Sequence, residues 1–211
     1  MIQVTRIESS CLGSNTYIVE ENGKAVIIDA GANYNEIKRE YPNIDNVKVI
    51  GILLTHSHFD HMVSLDELME KFNCPAYVSS LGKDFLYTVE GNLSYMGERE
   101  VVLNNRNVKT ISDGEVLDLI DTPIKVIFTK GHCKSCVSYL IQNSLFTGDF
   151  LFYRTIGRTD LPYSSVEDMI ESLKKIKELK NFEECFAGHS RSFDYDMAIK
   201  TVDTYIKYLT R

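Results

Sequence analysis

Thr55-His56-Ser57-His58-Phe59-Asp60-His61 puts three imidazoles and one carboxylate within six residues. It follows directly on residues 47–54, a nearly unbroken run of β-branched and aliphatic side chains that reads as a strand buried on both faces. A strand ending in metal-ligand side chains would hold them at a sheet edge on a rigid support. The chain has five histidines, and three of them are here.

Upstream, residues 2–7, 16–19 and 25–28 are β-rich, and Asn22-Gly23 marks a tight hairpin between the last two. Asp29-Ala30-Gly31 closes the third strand, and 33–41 reads as a short helix stopped at Pro42. Downstream, 62–72 reads as a helix whose apolar face is Val63, Leu65, Leu68, Met69 and Phe72. A short strand at 76–79 and a short helix at 82–88 follow. Residues 90–106 are polar and glycine-interrupted, a composition suited to a lid or pocket-wall loop. Strands resume at 108–111, 115–119, 124–129, 137–141 and 145–147, with Asp113-Gly114 turning between the first two. Ser164-Ser165-Val166-Glu167 has the form of a capping box. The helix it opens carries Val166, Met169, Ile170, Leu173 and Ile176 on one stripe. A last strand at 184–187 and an amphipathic helix through Ala198, Val202 and Leu209 end the chain. This order predicts an α/β fold in one domain over residues 1–211, an αββα sandwich of two mixed sheets flanked by helices.

Composition narrows the function. Of 211 residues, 44% are hydrophobic and 25% charged, enough for a sizeable core. A net charge of −7 argues against nucleic acid as a partner. No apolar run is long enough to span a membrane and no signal peptide is visible, so a cytoplasmic protein without a membrane partner is expected. Five irregularly spaced cysteines do not form a disulfide framework.

The remaining histidines, His132 and His189, each follow a glycine at a strand end, as does the carboxylate of Asp149 in Thr147-Gly148-Asp149. Glycine permits the sharp turn and the close approach of a second segment. Zinc takes about four ligands and keeps one position open in catalytic sites. Five imidazoles and two carboxylates exceed one ion's needs and divide into two sets with one carboxylate in common.

The His-x-His-x-Asp-His signature, the later Gly-His, the Gly-Asp and the final Gly-His resemble the metallo-β-lactamase superfamily over nearly the whole chain. Residues 147–162 and Asn92-Leu93-Ser94 are similar to its single-domain glyoxalase II-like hydrolases. The resemblance implies a first metal on His56, His58 and His132, a second on Asp60, His61 and His189, and Asp149 bridging both. It implies two divalent ions, zinc first with iron or manganese as alternatives, and Asp60 and Asp149 as catalytic residues. Water activated between the ions would attack a small acyl substrate, in first place a hydroxyacyl thioester. Asp29 would orient a ligand from behind. A mononuclear iron persulfide dioxygenase, a lactone hydrolase and, last, a non-enzymatic metal or redox protein are the alternatives. The chain departs from glyoxalase II in lacking room for its C-terminal helical domain, and in Ser190-Arg191-Ser192-Phe193, which lacks the tyrosine-bearing pattern for the thiol carrier. His132-Cys133-Lys134-Ser135-Cys136 also differs from the usual threonine and glycine. Cys133 and Cys136 read as small packing residues rather than a redox or metal motif. Arg154 and Arg158 are candidates for a substrate carboxylate or for structural ion pairs.

Overall fold

A computed structural model describes residues 1–210. One six-stranded sheet runs in chain order through β1 (Gln3–Glu8), β2 (Asn15–Glu21), β3 (Lys24–Ile28), β4 (Lys48–Leu53), β5 (Ala76–Ser79) and β6 (Val108–Ile111). Its first three strands are antiparallel and β3 to β6 are parallel. The second sheet contains β7 (Val116–Leu117), β8 (Ile124–Phe128), β9 (Val137–Ile141), β10 (Ser144–Gly148), β13 (Glu184–Ala187) and β14 (Phe193–Asp194). Its spatial order is β14-β13-β10-β9-β8-β7, with only β10 and β13 parallel. A small hairpin, β11 (Leu151–Phe152) with β12 (Thr155–Ile156), stands apart.

Strand periodicity sorts the side chains into three packed layers. In β3, Val26 and Ile28 point between the sheets and meet Val126, Tyr139 and Phe146. Ala25 and Ile27 point the other way, under α1 (Tyr34–Glu40) and α2 (Leu65–Phe72) through Ile37, Leu65 and Leu68. On the far side, Ile127, Leu140 and Leu145 pack against Met169, Leu173 and Ile176 of α3 (Val166–Glu178) and Ala198 and Val202 of α4 (Tyr195–Leu209). This is the expected αββα sandwich. Burying each Val, Leu, Ile, Phe or Met side chain among these contributes about 1.5–3 kcal/mol, and two-sided burial is why the central strands read as continuous apolar runs.

Local details follow the sequence with specific exceptions. Asn22 and Gly23 both adopt positive φ, 52° and 78°, as a two-residue turn between twisted strands requires. The expected helix from residue 62 begins instead at Leu65. The Ala30 N–H donates to the His61 carbonyl at 2.7 Å and the Ser64 N–H to the Ala30 carbonyl at 2.9 Å, so tertiary bonds hold the backbone in a 3-10 turn first. α3 is capped by Ser165, whose Oγ accepts from the Asp168 N–H at 3.1 Å, one residue later than the capping box predicts. The 115–119 strand shrinks to two residues, and β11, β12 and β14, each two residues long, give no readable period. Residues 90–106 form a folded-back loop. Asn92 Nδ2 donates to the Val101 carbonyl at 2.7 Å, and the Asn92 carbonyl accepts from the Phe59 N–H at 2.9 Å. Among the described residues, no helix is long and apolar enough to cross a membrane.

Candidate metal centre

β3 and β4 lie side by side and end together, so the residues just past them meet. Asp29, at φ 59°, turns sharply out of β3 and its buried carboxylate faces the loop after β4. Asp29 Oδ1 accepts from the Thr55 N–H and Oδ2 from the Thr55 hydroxyl, both at 2.7 Å. Oδ2 also lies 2.9 Å from His61 Nδ1. The Thr55 hydroxyl proton is thereby committed, so its oxygen can only accept from His56 Nδ1, 3.1 Å away. Asp29 thus fixes the tautomer of two histidines, leaving both Nε2 lone pairs directed away from it. His132, in the turn after β8, is set the same way: its Nδ1 is 2.9 Å from the Arg158 carbonyl, which can only accept.

The seven candidates converge from the strand ends of both sheets. His56, His58 and His132 present ligand atoms within 4.8 Å of one another, as do Asp60, His61 and His189. Asp149, just past β10, groups with His56 and His61, one member of each set. His132 Nε2 and His58 Nδ1 are 3.1 Å apart, His189 Nε2 and Asp60 Oδ2 3.2 Å, and His61 Nε2 and Asp149 Oδ1 3.3 Å. Tetrahedral ligands at bond lengths of about 2.0–2.1 Å stand roughly 3.3–3.4 Å apart, so these spacings fit a shared cation. Among the described residues three buried side-chain atoms have no hydrogen-bond partner, Asn15 Oδ1 and, in the centre itself, His56 Nε2 and Asp149 Oδ1. Leaving such atoms without a partner is costly, and His56 Nε2 and Asp149 Oδ1 lie where the two sets meet. The donor set therefore fits one or two divalent ions.

Glycine makes the approach close enough. A Cβ at Gly188 would collide with Asp149 Oδ1, and one at Gly148, which also adopts φ 50°, would collide with the Thr55 hydroxyl.

The two sets differ electrically. Burial, then His61 and His58, holds His56 well below the ordinary imidazole value. Burial and His132 push His58 down to about 3. Burial also opposes charge on His61, but Asp60, Asp149 and Asp29 outweigh it and raise that imidazole well above its usual range. For His189 burial is likewise outweighed, by Asp149 and Asp60, which raise it to about 9. Burial would raise both carboxylates, yet His61 and His189 hold Asp149 well below, and Asp60 below, the usual value. In the first set His56 and His58 are held as neutral imidazoles, whereas beside the second Asp60 and Asp149 favour positive charge on His61 and His189.

Other side chains settle differently or escaped notice. The Arg158 guanidinium pairs with Asp160 at 2.7 and 2.8 Å, so its contribution to the centre is its carbonyl. Arg154 stacks over Tyr153 at 5.0 Å in the exposed β11–β12 turn. Cys133 and Cys136 are buried free thiols beneath the His132 turn. Thr55, Ser14 and Asn15 carry no metal-ligand signal. Even so, the Ser14 hydroxyl donates to the Asp60 carbonyl at 2.6 Å, and Asn15 Nδ2 donates to the carbonyls of Ala187 and Ser190, both at 2.9 Å. Only their burial, visible in the fold, marks them. A groove of ≈ 970 Å³ lined by Cys11, Leu12, Phe59, Met96 and Arg99 runs beside the 56–61 loop. The 90–106 loop thus forms part of a pocket wall.

The family profile described as the metallo-beta-lactamase superfamily matches residues 10–189. A "probable metallo-hydrolase" of Streptococcus pyogenes is 31% identical over 201 residues, covering 91% of this chain and 85% of that protein. Another, from Bacillus subtilis, is 31% identical over 185 residues, 86% and 87% of the two chains. Among solved structures, the B3 metallo-beta-lactamase BLEG-1 matches with a TM-score of 0.85 at 26% identity, over 99% of this chain and 100% of that one.

Proposed function

The chain belongs to the metallo-beta-lactamase superfamily, and from that premise we propose that it is a dinuclear metallohydrolase of small acyl thioesters. The observation that carries the reading is the pair of candidate ligand sets meeting at Asp149, with Asp149 Oδ1 and His56 Nε2 buried at the junction without a hydrogen-bond partner among the described residues. His56, His58 and His132 would hold one divalent ion and Asp60, His61 and His189 the other, with Asp149 reaching both. Such ions would supply Lewis-acid polarisation of an acyl carbonyl and activation of water near neutral pH. The chain's own part is preorganisation. Asp29 and the Arg158 carbonyl hold the imidazole protons on Nδ1 of His56, His61 and His132, so that each Nε2 is a ready donor. Asp60, whose Oδ2 faces His189 Nε2 at 3.2 Å and whose carboxyl stays ionised, would hold and orient the reacting water beside the metals by accepting its hydrogen bond. Zinc is the first choice for an imidazole-rich set, with iron or manganese as alternatives. The adjoining groove falls within the size range of small-molecule pockets.

The test is a metal count on purified protein, then hydrolysis of a hydroxyacyl thioester before chelation, after it and on metal restoration. Two equivalents of metal per chain, and activity that disappears and returns, are expected. Activity indifferent to chelation would sink the reading. One equivalent of iron with oxygen uptake on a persulfide would replace it with the dioxygenase.

A further inference from the structure

The turn that carries His132 holds chemistry that the metal centre does not use. Cys133 and Cys136 end a β-turn in which the Cys136 N–H donates to the Cys133 carbonyl at 3.4 Å. Their Sγ atoms stand 3.0 Å apart, one thiol hydrogen-bonded to the other with nothing between them. Residues i and i+3 of such a turn keep their Cα atoms within about 7 Å, and a disulfide bridges most of that range without moving the backbone. Cys74 and Cys185, in contrast, are dispersed in the two outer cores.

We propose that Cys133 and Cys136 are an oxidative modification site, a dithiol that hydrogen peroxide converts to an intramolecular disulfide. One thiol attacks a peroxide oxygen; the O–O bond breaks and a sulfenic acid and water form. The second sulfur attacks the first, the S–O bond breaks, and a second water leaves as the S–S bond closes. Two thiol hydrogens and two electrons pass to the peroxide, both of whose oxygens leave as water. A resolving thiol already in contact diverts the sulfenic acid before further oxidation. Both cysteines are 2% exposed, so a small oxidant is required.

The bond would be felt at His132 and in the 56–61 loop. Cys133 Sγ lies 3.0 Å from Ser135 Oγ, which accepts from the Ser57 N–H at 3.3 Å, between His56 and His58. Closing the sulfurs to about 2.05 Å takes Cys133 from Ser135 and draws on the residue next to His132. This coupling, unlike the bond itself, rests on the metal reading.

Metal-loaded protein is treated with a few equivalents of hydrogen peroxide, alkylated under denaturing conditions, digested and mapped by mass. The expected product is a peptide spanning residues 133 to 136, lighter by two hydrogens, unalkylated and restored by dithiothreitol, with Cys74 and Cys185 alkylated throughout. Cys136→Ser should leave Cys133 unable to form it. Alkylation of both cysteines at peroxide levels that oxidise Cys11, or sulfinic acid in place of the bond, overturns the proposal. Metal release to a chelator is read in parallel, and oxidation should speed it roughly 10-fold. An unchanged rate with the disulfide formed overturns the coupling alone, and a metal-free preparation counts against the metal reading while the thiol map still decides the bond.

Discussion

Asp29 carries more of the centre than its sequence position announces, since one carboxylate takes two bonds from Thr55 and one from His61. Asp29→Ala should weaken metal binding about 10–100-fold, the usual effect of losing such a partner, measured by competition with a chromophoric chelator. Unaltered affinity would show that the histidines hold their tautomers without it. Asp149→Ala should cost activity by orders of magnitude and reduce bound metal, because Asp149 groups with His56 of one set and His61 of the other; a variant with full metal and near-normal turnover would refute the bridging role. Cys133→Ser with Cys136→Ser should leave turnover of reduced protein largely intact. The candidates that the fold brings together were legible in the sequence, because three histidines and an aspartate crowd into residues 56–61 and His132, Asp149 and His189 each follow a glycine. Thr55, Ser14 and Asn15 were not, since Thr55 bonds the back of His56, Ser14 the Asp60 carbonyl and Asn15 the carbonyls of Ala187 and Ser190 on either side of Gly188-His189, and that depends on which strands end side by side.

At the scale of elements, α3 is tied to the end of β8, the strand that leads to His132. Lys175 Nζ donates to the Phe128 carbonyl and to Asp113, both at 2.9 Å, and the Phe128 N–H donates to Asp113 at 2.7 Å. Burial would raise the Asp113 carboxyl, but the Phe128 N–H and Lys175 outweigh it and hold it below the ordinary value. A depressed carboxylate contributes its stability above the unfolded value of about 3.9, and that contribution fades as pH falls through the folded one. Asp113→Asn should therefore lower the Tm near neutrality, with the gap to wild type closing below about pH 4. A gap constant to pH 3 would mean that the charge is not what matters. The same elements show what the sequence can encode: Leu173 and Ile176 fix the α3 stripe, whereas the start of α2 depends on Ala30 reaching His61 and Ser64, contacts that no local period contains.

In the whole molecule, the candidate ligands come from the first sheet through the 56–61 loop and from the second through His132, Asp149 and His189. A metal bound there joins both halves, so its removal should lower the Tm of the whole chain in one transition. A melt in which only part of the signal moves would indicate independent halves. The backbone is already stitched at this end: the Val137 N–H donates to the Thr55 carbonyl at 2.7 Å and the Asn15 N–H to the Gly188 carbonyl at 2.6 Å, beside the Ser14–His189 bridge. Those two amides cross from one sheet to the other, and neither can exchange its hydrogen with water by fraying of a single strand. They are set to report the opening of the sandwich as a unit, and their deuterium uptake should be among the slowest in the chain even before metal is added.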